Sequence, residues 1–239
     1  MSGSQYIALS GLRAHVDALD RLAADIANVG TAGYKGVRDA RAAAHRDVFD
    51  AALQTAIDTT SGGTRLDMTA GALASTGRPL DLALDSPGFF VVETPAGMRY
   101  TRNGHFTLNA DRQLVTEDGA RVQGEAGPIT FGDGDVRIDQ DGTIWTGTTK
   151  AGRIKVVDFP DPQQLVPEQG ARLNAGAQTP TAIDHAVVRG GTLEQSNVTV
   201  ADRLAQLTTV SRGFEAMQKA ISLLLNDVDG RAIDHLGRR

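Results

Sequence analysis

Residues 196–228 read SNVTVADRLAQLTTVSRGFEAMQKAISLLLNDV, and the spacing of their apolar side chains decides the fold. Val200, Leu204, Leu207, Phe214, Ile221, Leu225 and Val228 fall on alternating steps of four and three, with Ser211 and Gln218 as polar gaps. This is the a/d seam by which one helix packs lengthwise on another. Thr199, with Asp202 three residues on, supplies an N-cap and an acidic first turn. A seam needs a mate, and the other end of the chain carries one. Leu9, Leu12, Val16, Leu19, Ala23 and Ile26 repeat the same spacing. The N-terminal helix is expected over residues 4–29, with Ser4 as its cap and Gly30 and Gly33 ending it.

Between the two helices the period changes. Residues 37–58 are alanine-rich with a weak helical pattern, and 59–77 are dense in Gly, Thr and Ser, which reads as a connector. From Leu80 the period is two, and the run Phe89-Phe90-Val91-Val92 follows a Ser86-Pro87-Gly88 turn. Turn signals then recur at Pro95-Ala96-Gly97, Asn103-Gly104, Asp118-Gly119 and Asp141-Gly142. Short strands are predicted over residues 99–102, 105–108, 113–116, 121–123, 136–138, 143–145 and 153–159, with 163–186 irregular. Many short strands joined at Asn-Gly and Asp-Gly corners indicate an antiparallel sandwich or barrel. The expected class is therefore α+β: terminal helices pairing as a coiled coil around a central all-β domain. The expected divisions are 1–36 for the first helix, 37–75 for the connector, 76–190 for the β domain and 191–239 for the last helix.

A net charge of −5 argues against a general nucleic-acid binder, because no basic excess is present to neutralise phosphates. The chain has no cysteine, which excludes disulfides and thiolate metal sites. It has no run of about 18 apolar residues, so membrane insertion is not expected. Arg13, His15 and Asp17 interrupt any apolar stretch of a cleavable leader. The five histidines are scattered without metal-ligand spacing, and His105 reads as a solvent-facing strand residue. The acidic string from Asp133 to Asp141 lacks the glutamate that closes a calcium loop, so it reads as hairpin turns. Trp145 reads as core. No G-x-S-x-G elbow or phosphate-binding loop is present, so neither catalysis nor a cofactor is expected.

Burying a Leu or Val side chain contributes about 1.5–3 kcal/mol, while ordering one residue costs about 1–2 kcal/mol of backbone entropy. Six seam residues cannot by themselves order a helix of some 25 residues. The two helices are expected to be marginal in a lone molecule and firm in an assembly.

Ala27-Asn28-Val29-Gly30-Thr31-Ala32-Gly33-Tyr34-Lys35 resembles the A-N-x-x-T-x-G-[FY]-K signature of the bacterial flagellar rod and hook proteins. The stretches 76–84, 88–90 and 100–106 are similar to that family's central block. Residues 191–198 and Arg212-Gly213-Phe214-Glu215 are similar to the segment that opens and fills its last helix. The resemblance implies a rod subunit that partners copies of itself and other rod proteins. It also implies export through the flagellar type III apparatus without a cleaved signal, and residence in the periplasmic rod of the basal body. Asn28, Thr31, Gly33, Tyr34 and Lys35 would then serve assembly alongside the two seams. Three departures stand out: Ala24-Asp25 where the family usually has Asn-Asn, Asp202-Arg203-Leu204 where it commonly has Glu-Glu-Leu, and Ser211-Arg212 where it commonly has Gln-Arg. All are expected on helix surfaces that could contact neighbouring subunits. A dimeric coiled-coil adaptor with a ligand-binding β domain is the alternative reading of the same plan.

Overall fold

The computed structural model describes residues 3–39 and 64–236. Two compact units result: one contains the two long helices, and the other comprises Ala27–Arg38 and Thr64–Thr199.

In the first unit, α1 runs Gly3–Ala27 and α2 runs Val200–Leu236, immediately after Thr199 and with Asp202 in its first turn. Three contacts place them side by side. A Cβ on Gly11 would lie 3.1 Å from Met217 Cε, one on Gly213 would lie 3.0 Å from His15 Nε2, and Arg203 Nε stands 2.8 Å from Asp25 Oδ2. As the α1 number rises through 11, 15 and 25, its partner falls through 217, 213 and 203 by equal steps, so the helices are antiparallel.

These contacts lie on a different stripe from the predicted seams. In α1 the touching or buried positions are Gly11, His15, Leu22 and Asp25, each one residue before a seam position. In α2 they are Arg203, Gly213 and Met217, again one residue before. One residue is a rotation of about 100° around a helix. Coiled-coil pairing along the seams is thus not what holds the helices together within this chain.

The second unit is β-rich. Its strands are β1 (Val37–Asp39), β2 (Thr64–Leu66), β3 (Leu73–Ser75), β4 (Leu82–Leu84), β5 (Phe89–Thr94), β6 (Gly97–Thr101) and β7 (Phe106–Leu108). Next come β8 (Leu114–Thr116), β9 (Arg121–Gly124), β10 (Gly127–Pro128), β11 (Val136–Ile138), β12 (Thr143–Thr146) and β13 (Thr149–Arg153). The last are β14 (Val156–Asp158), β15 (Val166–Glu168), β16 (Arg172–Asn174), β17 (Thr181–Ala182), β18 (Val188–Gly190) and β19 (Thr192–Glu194). The main sheet runs β15-β16-β6-β5-β9-β8-β7, with β14 sharing the β9 edge of β5.

Strand β5 explains the core. Its apolar run is buried on both faces, as a central strand requires. Phe90 and Val92 join Phe106, Leu114, Val122, Ile144 and Leu82 in one cluster, while Phe89 and Val91 join Tyr100, Val157, Phe159 and Leu173 in another. Edge-to-face ring pairs at 5.3 Å (Phe90–Phe106) and 4.7 Å (Tyr100–Phe159) tie each cluster. The ends of the unit are then sewn together, because β18 pairs antiparallel with β4 and β19 with β3.

Several expectations change. Val37–Asp39 forms a strand, paired with β2, where a weak helical pattern begins; most of that segment, 40–58, lies outside the described residues. The stretch 163–186 carries β15, β16 and β17. It lacks alternation because β15 is fully exposed at the sheet margin, the position at which Pro167 is tolerated. Three of the four turns join hairpins. Asn103-Gly104 does not, since β7 pairs with β8 and not with β6. There the backbone crosses β4 so closely that a Cβ on Gly104 would stand 1.7 Å from Leu82 O. Trp145 is half-buried, donating to Asp139 Oδ2 at 2.7 Å beneath the Arg137 guanidinium, and the adjacent Ile144 fills the core instead. His105 is half-buried and held by Asp81 and Arg78.

Candidate functional site: a buried ionic junction

The residues following α1 turn twice. Thr31 N–H donates to Asn28 O at 3.0 Å, Thr31 Oγ1 to Asn28 Oδ1 at 3.2 Å, and Tyr34 N–H to Thr31 O at 3.3 Å. Gly33 occupies the left-handed region at φ 66°, and a Cβ there would lie 2.2 Å from the carbonyl carbon of Arg102. Conformation and space both demand glycine. Its N–H donates to Glu194 O at 2.7 Å.

Two residues later Lys35 turns inward. Its side chain is 2% exposed, and Nζ donates to Glu194 Oε1 at 2.6 Å and to Thr69 O at 2.7 Å. Gly71 N–H reaches the same carboxylate oxygen at 3.1 Å, and Arg102 Nε reaches Oε2 at 2.8 Å. A second Arg102 nitrogen caps Ser86 O and Gly88 O at 2.9 and 2.7 Å. Asn197 completes the junction. Its Oδ1 accepts from Gly36 N–H at 2.9 Å, and its Nδ2 donates to Asp67 O at 2.7 Å. Asp67 in turn pairs with Arg38.

Three stretches distant in sequence, around Lys35, Gly71 and Arg102, therefore converge on the Glu194 carboxylate. Burial pushes Glu194 up, but Arg102 and Lys35 outweigh it and hold the group below the usual glutamate range. Burial lowers Lys35 from its ordinary value, and the hydrogen bond and charge of Glu194 only partly oppose this. Two cations around one anion make Glu194 the member that the others require. Such a cluster can hold backbones in place.

Of the predicted residues, Gly33 and Lys35 are buried here, while Asn28, Thr31 and Tyr34 are half-buried in the turns beside them. Leu9 lies in α1 and Ile221, Leu225 and Val228 lie in α2. Leu12, Leu19, Ile26, Leu207 and Phe214 are half-buried, and Ala23 is exposed. Val16, Val200 and Leu204 remain 41%, 45% and 48% exposed. Asp25 and Arg203, expected to face neighbours, meet each other instead. Sequence reasoning passed over Glu194, Arg102, Asp67 and Gly71 as site residues. A lone charge carries no sign that its partner lies 159 residues away.

Residues 83–146 match the family described as flagellar hook protein FlgE/F/G D1 domain, and 189–223 match flagellar basal body rod FlgEFG protein C-terminal. Over its full length the chain is 31% identical to the flagellar basal-body rod protein FlgF of Caulobacter vibrioides, covering 99% of that protein. This chain belongs to the flagellar basal-body rod protein family. It is also 33% identical to FlgF of Salmonella typhimurium, over 88% of each chain, and 31% identical to FlgG of Bacillus subtilis, over 93% of this chain and 95% of that one. The rod family is structural and not enzymatic, and the likeness runs chiefly to its FlgF members. No described helix of this rod-family chain is long and apolar enough to cross a membrane. The junction brings together Gly33 and Lys35, the Asp67–Gly71 stretch, Arg102 and the Glu194–Asn197 stretch.

Proposed function

We propose that this chain polymerises through its terminal helices into the helical tube of the flagellar rod, which surrounds the export channel and transmits torque. One observation carries the reading. The two seams stand about 100° from the stripes that hold α1 to α2, and Val16, Val200 and Leu204 on them are left exposed. Each helix thus has one stripe engaged within the chain and a second, apolar one that is only partly covered and takes a coiled-coil contact with other copies or other rod proteins. Contacts between two different stripes are heterologous, and repeated about a screw axis they build a tube and not a closed ring.

In this reading the Asn28–Lys35 motif serves assembly indirectly, by anchoring the backbone on Glu194 and Asn197. The chain reaches the periplasm unfolded through the type III apparatus, without a cleaved signal.

The test is Leu204→Asp. Nearly half-exposed, Leu204 makes little contribution to the isolated fold, so the thermal melt of the variant should match the parent within about 0.5 kcal/mol. Incorporation into basal bodies and motility should be lost. Wild-type motility in this variant would overturn the proposal.

A further inference from the structure

We infer that Asp25 and Arg203 form a specificity-determining contact between the two helices, fixing their antiparallel register and selecting an α2 with a cation at that position. The inference stands independently of the rod assembly. The ion pair is deeply placed, with side chains 2% and 11% exposed and Arg203 Nε 2.8 Å from Asp25 Oδ2.

Among the described residues, the other close approaches between the helices resist sliding less than this pair. Gly11 meets the flexible thioether of Met217, and Gly213 meets the His15 ring. Stripes of glycine and adaptable side chains tolerate more than one alignment. The charges do not. Equal steps along the pairing place Ala18 opposite Val210. Sliding one helix by four residues in one direction puts Asp25 opposite Thr199; the other direction puts it opposite Leu207. Either slip leaves a buried carboxylate and a buried guanidinium without each other. A buried ion pair adds little stability relative to apolar packing, yet breaking one is strongly unfavourable, so it acts chiefly on register and partner choice. An α2 with an acidic residue at 203 would set two carboxylates against each other and be refused.

The chain has no cysteine, so disulfide trapping in the full-length protein reads the register directly. Ala18→Cys with Val210→Cys reports the observed alignment, and Ala14→Cys with Val210→Cys reports a one-turn slip. In the parent the first pair should oxidise within the molecule at least tenfold faster than the second. Arg203→Asp should remove that preference, and the exchange Asp25→Arg with Arg203→Asp should restore it to within threefold. Arg203→Met, which keeps the bulk and loses the charge, should leave both pairs oxidising at similar rates. Trp145 fluorescence confirms in each case that the β-rich unit is folded. The inference is overturned if Arg203→Asp leaves the tenfold preference intact, or if the exchanged pair fails to recover it.

Discussion

Replacing Glu194 with Gln should damage this protein far more than replacing Lys35 with Met, although the two residues form one ion pair. Glu194 accepts from Lys35 at 2.6 Å, from Gly71 N–H at 3.1 Å and from Arg102 at 2.8 Å. Glu194→Gln removes the negative charge that neutralises both cations and leaves Lys35 and Arg102 buried near each other. Breaking a buried pair in this way costs about 3–5 kcal/mol. Lys35→Met is milder for two reasons. Arg102 and Gly71 still satisfy the carboxylate, and burial already disfavours the charge on Lys35, so removing it recovers part of what is lost. The expected loss is about 1–2 kcal/mol. In a unit of this size 1 kcal/mol moves the melting temperature by about 2–4 °C, so the drops should be about 6–20 °C and about 2–8 °C. Trp145 is the only tryptophan and lies in β12 of the same unit, so its fluorescence reports the melt. Lys35→Met in the Glu194→Gln background should then be neutral or stabilising, because it removes one of two like charges. The reasoning fails if Lys35→Met costs as much as Glu194→Gln, or if Glu194→Gln melts within 0.5 kcal/mol of the parent.

The architecture was legible where it depended on local periodicity. The run Phe89–Val92 announced a strand, and Asp118-Gly119 and Asp141-Gly142 marked hairpins, because those signals sit within a few residues of the structure they cause. The helices were legible for the same reason, but the stripe each uses toward the other was not. Gly11, His15, Asp25, Arg203 and Gly213 have no apolar signature, yet small size and paired charge make them the close-packed positions. An apolar count therefore found the less covered stripe, a rotation of one residue away. The junction was half legible. Gly33 and Lys35 stood out by resemblance, but what they bind is set by β19, whose three residues pair with β3 across more than a hundred positions. Asn103-Gly104 misled because glycine serves two purposes: a turn, or a place where another backbone comes near. Only the neighbouring chain decides between them.

Three further outcomes follow from the same structure. Because Glu194 is held below its ordinary range, its contribution is present above that range and lost as the pH falls through the folded value. The stability gap between the parent and Glu194→Gln should therefore be full at neutral pH and close as the pH falls below the usual glutamate range in a series of thermal melts; a gap that widens in acid would reverse the sign. In the isolated chain, amides of α1 and α2 should exchange faster than those of β5 and β6. Among the described helix side chains only Leu22, Asp25 and Arg203 are buried, whereas Phe89 to Val92 all are; slow exchange along both helices in a monomer would refute this. Gly104→Ala and Gly77→Ala separate crowding from backbone strain. Gly77 has φ 71° with nothing within 4 Å of an added Cβ, so alanine there should cost about 1–2 kcal/mol, the price of the left-handed conformation alone. At Gly104 the added carbon would sit 1.7 Å from Leu82 O and 2.7 Å from Leu82 C, backbone atoms that also hold the Leu82 N–H to Gly104 O bond at 3.0 Å. Neither atom can turn aside as a side chain would, so β4 itself must move, at a cost of about 3 kcal/mol or more. Equal melting temperatures for the two variants would mean that this crossing yields, and that β4 is not held where its register with β18 requires.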